Sequence, residues 1–116
     1  MALDKEKCVA CQKGSPRVTD DEIVQLQPIV PQWRMTEHDG VRCLNRTFKF
    51  EDFATAIKFA DRVGGGAEEE GHHPRLIVEW GRVNVAWWTH KIKGLHRNDF
   101  IMAAKTDKFF ECLTEN

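Results

Sequence analysis

The sequence predicts an α+β two-layer sandwich, in which a four-stranded antiparallel sheet carries three helices on one face. Two observations favour this class. Two pairs of β-rich runs each flank a tight-turn signal, and segments of helical character lie before, between and after them, in the order α-ββ-α-ββ-α. A chain of 116 residues can build one modest core but not two. A single domain is therefore expected over residues 19–116, preceded by an irregular arm over residues 1–18.

The first half of the chain contains clear start and turn signals. Residues 19–22 match a capping box, so the first helix is predicted to begin at about Asp20. Asp39-Gly40 is a strong two-residue hairpin signal, and it separates strands predicted over residues 32–38 and 41–50.

The second half repeats this organisation. Residues 51–63 carry apolar side chains at helical spacing, and the glycines at 64–66 are predicted to end that helix. The runs 76–80 and 83–90 form a second hairpin around Gly81-Arg82. The last helix is predicted to begin near Asn98-Asp99 and to reach Phe110. Alternate residues of the second hairpin are expected to face the core: Leu76, Val78, Trp80, Val83, Val85 and Trp87.

The composition excludes several classes of function. There are 17 basic and 18 acidic residues, which argues against a nucleic-acid-binding protein. Residues 1–13 lack the apolar segment of a secretory signal, and the longest apolar run, 85–88, is far too short to cross a bilayer. A cytoplasmic location without membrane association is therefore expected.

The cysteines are expected to be thiols or metal ligands in a reducing compartment. Cys8 and Cys11 are spaced like half of a zinc site, but a thiol pair without metal is the preferred interpretation, and its role stays open. Cys43 and Cys112 are interpreted as small core residues.

Histidines supply the candidate chemistry. A two-residue turn at Gly81-Arg82, continued outward in register, places His73 opposite His90, with His72 adjacent and the acidic residues 68–70 nearby. Imidazole titrates near neutral pH, so clustered histidines suit a reaction that both gives and takes protons. Zinc ligation and a plain exposed loop are the alternative interpretations.

The full spacing of these residues resembles a known family. The pattern Glu68-x3-His72-His73-Pro74-x5-Trp80-x9-His90-x8-Asp99 is similar to the signature of pterin-4a-carbinolamine dehydratases, and the similarity extends over roughly residues 19–113. Two positions depart from the family's habit. Gly71 stands where members often have an acidic residue, and His96 stands where they often have Ser or Thr opening the last helix, with Asn98 as a substitute cap.

The resemblance implies dehydration of 4a-hydroxytetrahydrobiopterin to quinonoid dihydrobiopterin, in tetrahydrobiopterin recycling and phenylalanine catabolism. It implies a phenylalanine hydroxylase as functional partner, no cofactor, no metal, and a homodimer or homotetramer. The implied catalytic residues are His72, His73, His90 and Glu68, and the implied substrate-binding residues are Trp33, Pro74, Trp88 and Thr89.

Some interpretations stay open beside these. Animal relatives act as dimerisation cofactors of a transcription factor, so a regulatory binding module on the same fold is one alternative. A dehydratase-like protein of molybdopterin metabolism is another. Asp99 is interpreted as a helix N-terminal residue rather than a catalytic one, and His38 and His96 are interpreted as surface residues.

Overall fold

Four antiparallel strands and three α-helices make up the protein, as given by a computed structural model that describes residues 2–9 and 13–114. The strands lie side by side in the order β1-β2-β4-β3. Their bounds are Arg34–His38 for β1, Val41–Lys49 for β2, Arg75–Glu79 for β3 and Arg82–Trp87 for β4. The helices are α1, Asp20–Leu26; α2, Phe53–Glu70; and α3, Arg97–Thr114. The predicted α+β class and element order are confirmed.

The core lies between the helices and one face of the sheet. Period-2 alternation sends Leu44 and Phe48 of β2 and Trp87 of β4 toward the helices, and all three are buried. Phe48 packs on Phe59 of α2 and Phe110 of α3, with ring centroids 4.7 and 4.9 Å apart. These contacts fix both long helices against the sheet.

The second hairpin turns one position earlier than predicted. Glu79 pairs with Arg82, so the loop is Trp80-Gly81, and Gly81 supplies the positive φ of 78° that this turn requires. The predicted core position of Trp80 is therefore wrong, because its side chain is 74% exposed at the tip of the hairpin.

This change moves the pairing register by two residues. Leu76 pairs with Val85, and since side-chain direction repeats every two residues, the core-facing set is otherwise unchanged. The predicted pairing of His73 with His90 is wrong, because β4 ends at Trp87.

Helix α2 also differs from the prediction, because it continues through Gly64–Gly66 to Glu70. Glycine weakens a helix by about 1 kcal/mol per residue, a cost that tertiary packing can override. Gly66 is packed so closely that a Cβ there would lie 2.7 Å from the ring of Phe109. The helix ends instead at Gly71, in the left-handed conformation with φ of 64°.

Residues 2–9 contribute a short helical turn and one core residue. Leu3–Lys5 form a 3-10 turn, and Leu3 belongs to the core cluster. The capping box at α1 is confirmed, with Thr19 and Glu22 bonding each other's backbone.

Of the two cysteines expected in the core, Cys43 is buried, whereas the prediction for Cys112 is wrong because it is exposed. Across residues 2–9 and 13–114, no helix is long and apolar enough to span a membrane.

Candidate active site

The paired histidines lie where α2 turns into β3. Gly71 ends the helix, its left-handed backbone redirects the chain, and the amide of His72 donates back to the carbonyl of Ala67 over 3.1 Å. Pro74 then leads into β3. The chain reversal places His72 on the inner side and His73 on the outer side, because the first is buried and the second exposed.

His72 is held rigidly. Its Nε2 lies 2.6 Å from Oδ1 of Asp99, and its ring stacks on Trp87 with centroids 5.7 Å apart and planes 8° apart. A carboxylate only accepts hydrogen bonds, so the Nε2–H of His72 is the donor to Asp99 and Nδ1 is the ring nitrogen left outside this bond.

Asp99 organises this part of the site. It is fully buried in the first turn of α3, and besides His72 it accepts from the hydroxyl of Thr89 at 2.8 Å and the backbone N–H of His96 at 2.9 Å. A buried carboxylate is tolerated when donors surround it in this way. Asp99 is therefore a helix N-terminal residue, as predicted, and also a support for His72, a role that was not predicted although the residue stands in the spaced signature.

His96 is more than the surface residue predicted. Its Nδ1 accepts from the backbone N–H of Asn98 at 3.0 Å, so His96 itself caps α3 and no substitute at Asn98 is needed.

The other two histidines are exposed. The Nε2 of His73 is hydrogen-bonded to Oε2 of Glu68, which lies on the last turn of α2 rather than in an acidic loop. His90 begins a 3-10 turn after β4, and its ring packs on Trp88 with centroids 4.7 Å apart.

A cavity of about 500 Å³ brings the three histidines together, within the size range typical of small-molecule sites. The predicted cluster therefore exists, although the link between α2 and β3 and the turn after β4 create it rather than strand pairing. The described residues that line it are Val9, Glu70, Gly71, His72, His73, Thr89, His90, Lys91 and Asn98.

Trp33 does not reach this cavity. It is 2% exposed, packs against Phe48, and donates from Nε1 to Asp107 at 2.8 Å. Trp33 belongs to the core cluster. It lies directly before β1, the edge strand that is separated by β2 from β4 and β3, beside which the histidines lie.

Cys8 is a protonated thiol at neutral pH. Burial, with the negative charges of Glu70 and Asp99 adding to it, raises the pKa of the Cys8 thiol to about 12. Its predicted companion, Cys11, lies outside the described residues. Within the part of the chain that the structure describes, no group of three or more His, Cys, Asp or Glu side chains is arranged to hold a metal ion.

Known proteins are similar to this chain in sequence and in fold. A sequence model of the family described as pterin 4 alpha carbinolamine dehydratase matches residues 16–109. Relatives carrying that family's name are 54% identical in Nitrosococcus oceani, over 94% of this chain and 96% of the relative, and 55% identical in Gloeobacter violaceus, over 92% of each. The chain belongs to the pterin-4a-carbinolamine dehydratase family.

Solved structures agree with this assignment. A transcriptional coactivator/pterin dehydratase from Brucella melitensis superposes with a TM-score of 0.72 at 32% identity, over 81% of this chain and 98% of that one. A pterin dehydratase-like protein, a RuBisCO assembly factor of the alpha-carboxysome, gives 0.58 at 24% identity over 67% of this chain and 88% of that one, and shows likeness of fold alone.

Proposed function

We propose that this protein dehydrates 4a-hydroxytetrahydrobiopterin to quinonoid dihydrobiopterin. The single observation that supports this most is the cavity that three histidines share in a member of this family. The proposed setting is tetrahydrobiopterin recycling in the cytoplasm, beside an aromatic amino acid hydroxylase such as phenylalanine hydroxylase that makes the carbinolamine.

The reaction needs one proton given and one taken. The bond between C4a and the hydroxyl oxygen breaks, and the hydroxyl leaves as water after it receives a proton. The bond between N5 and its hydrogen breaks, and the electron pair forms the C4a=N5 double bond. The two proton transfers balance, so paired acid and base groups are sufficient chemistry.

The proposed role of each histidine follows from the residues that hold its imidazole ring. Asp99 fixes the tautomer of His72, leaving Nδ1 as a base for a substrate proton, and Glu68 orients His73. His90 completes the set, and the proposed acid and base roles are shared among these three histidines. No step in this scheme calls for a metal.

The neighbouring residues support these rings in the same scheme. Thr89 acts through its hydrogen bond to Asp99, and Trp88 positions His90 by packing on its ring. Pro74 restrains the backbone after His73. Trp33, buried away from the cavity, is left out of the proposed substrate contacts.

The test is stopped-flow absorbance of 4a-hydroxytetrahydropterin decay, with the substrate generated in place by phenylalanine hydroxylase and metals removed by a chelator. Wild type is expected to accelerate decay, and His72→Ala and His90→Ala are expected to lose about 100-fold or more in rate. His38→Ala, an exposed histidine on β1, is the matched control and should keep the wild-type rate.

A wild type that leaves the decay rate unchanged would contradict the proposal. The Brucella relative is named as a transcriptional coactivator as well as a pterin dehydratase, so partner binding without turnover would then be the better hypothesis. Loss of the wild-type rate on chelation would instead support zinc ligation by the histidines.

A further inference from the structure

Residues 2–9, called the N-terminal arm here, reach the cavity through Val9, which is one of its lining residues. Resting on the proposed function, we propose that the arm is a substrate-binding element and that Val9 makes an apolar contact to the bound pterin. The arm would then set affinity for the substrate without taking part in proton transfer. This assigns a role to a segment that precedes the family match.

The first part of the arm is anchored to the core and to α3. Leu3 is 1% exposed in the core cluster. The carboxylate of Glu6 accepts two hydrogen bonds from the guanidinium of Arg97, at 3.0 and 2.8 Å. Lys105 donates to the carbonyl of Asp4 at 2.9 Å. These contacts give the arm a defined path along the helix that also carries Asp99.

The last part of the arm is fixed at the cavity itself. Oε1 of Glu70 accepts from the backbone N–H of Cys8 at 2.7 Å. Asn98, which is 1% exposed, accepts from the backbone N–H of Val9 at 3.0 Å and donates to its carbonyl at 2.8 Å. A buried amide without these partners would be costly, so the pairing holds the backbone of Val9 at a fixed position on the rim.

The side chain of Val9 does not belong to the core cluster, so core packing does not account for an apolar residue at this position. It is 63% exposed, and it is the sole aliphatic apolar residue among the described residues lining the cavity. The other lining side chains are polar, charged or absent, so Val9 is the aliphatic contact that this part of the cavity offers to a ligand. An exposed valine gains free energy when a ligand covers it, by about 25 cal/mol per Å² of apolar surface.

This contact differs in kind from those of the histidines. Val9 carries no group that exchanges protons, so its contact is the same for the substrate and the transition state. Binding of that sort changes KM and leaves kcat unaltered.

The experiment compares Val9→Ala and Val9→Ser with Val24→Ala, a matched control on α1 that is 72% exposed. Because Val9 is exposed, its truncation leaves the folded core intact. Val9→Ala is expected to raise KM by roughly three- to tenfold with kcat within about twofold of wild type, and Val9→Ser to raise KM at least as much. Val24→Ala should match wild type in both constants.

A second readout separates this proposal from the proposed function. The dissociation constant of 7,8-dihydrobiopterin, a stable pterin, is measured by calorimetry for the same variants, and it is expected to rise by the same factor as KM. Wild type without turnover overturns the proposed function, and calorimetry still decides the role of Val9. Unchanged dissociation constants in both Val9 variants overturn the arm proposal whatever the turnover, and so does a fall in kcat at constant KM.

Discussion

Two neighbouring histidines of the site are supported in different ways. His72 is buried between Trp87 and Asp99, whereas His73 and its partner Glu68 are exposed, with side chains 60 and 77% accessible. Water screens and competes for an exposed pair, so its geometry is less constrained than that of a buried pair. The buried pair is therefore the one we expect to have the larger influence on the reaction.

Replacing Asp99 tests that expectation. In Asp99→Asn, one of the two carboxylate oxygens is replaced by an NH2 group, which donates and does not accept hydrogen bonds. That group would face either the Nε2–H of His72 or the backbone N–H of His96, so the three donors can no longer all be satisfied. We expect kcat to fall by roughly 10- to 100-fold with KM little changed. Stopped-flow assays give the rate, and urea unfolding checks that the domain remains folded.

Glu68→Gln is the matched comparison, and its kcat is expected to fall less than that of Asp99→Asn. An equal or larger loss in Glu68→Gln would contradict the priority given to the buried pair.

The three histidines that line the cavity could be predicted from the sequence, whereas the geometry that brings them there could not. Sequence spacing identified His72, His73 and His90, because the full signature is far more specific than any one histidine. Val9 and Asn98 were missed, since they meet through a side-chain-to-backbone contact 89 residues apart, which leaves no periodic signal. Cavity walls made by such contacts become visible only in three dimensions.

At the level of elements, local propensity and packing disagree most clearly in α2. The glycines at 64–66 resemble a helix stop in sequence, yet the stop is Gly71, whose left-handed backbone is what a helix end requires. The strands were predicted well because alternation is a local signal. The turn at Trp80-Gly81 was missed because a shift of two residues leaves that alternation unchanged.

The glycines of α2 give opposite expectations for one substitution. In Gly65→Ala, the added methyl group extends into open space and alanine has the higher helix propensity. The free energy of unfolding should therefore rise by about 1 kcal/mol. Gly66→Ala places a methyl group against Phe109, so the same quantity should fall by about 1–3 kcal/mol. Urea denaturation at one fixed protein concentration measures both.

The double variant Gly66→Ala with Phe109→Ala checks the cause. If the clash is responsible, the combined loss will be smaller than the sum of the single losses. Strict additivity, or a stabilised Gly66→Ala, would show that the close packing is not limiting.

For the whole molecule, exposed apolar side chains indicate how chains associate. Phe53 and Ile57 lie one turn apart on the outer side of α2, 47 and 44% exposed, and β1 and β3 present unpaired sheet edges. These features support the proposal of a homodimer or homotetramer.

Light scattering coupled to gel filtration is expected to give a mass two or four times that of one chain. Ile57→Glu puts a charge into the apolar pair and is expected to reduce that mass, while Val24→Glu on α1 should leave it unchanged. A wild type that elutes at the mass of one chain would refute the association.

The path of the N-terminal arm has a consequence for the order in which the protein is made. Glu6 bonds to a residue 91 positions later, and Lys105 to one 101 positions earlier. The ribosome therefore releases the arm well before its partners on α3. A nascent chain that stops before α3 contains the three histidines of the cavity. It lacks Asp99, which bonds His72, and Asn98, which holds the backbone of Val9. Folding of the last helix thus completes the support of His72 and fixes the backbone of Val9 at the cavity in the same event.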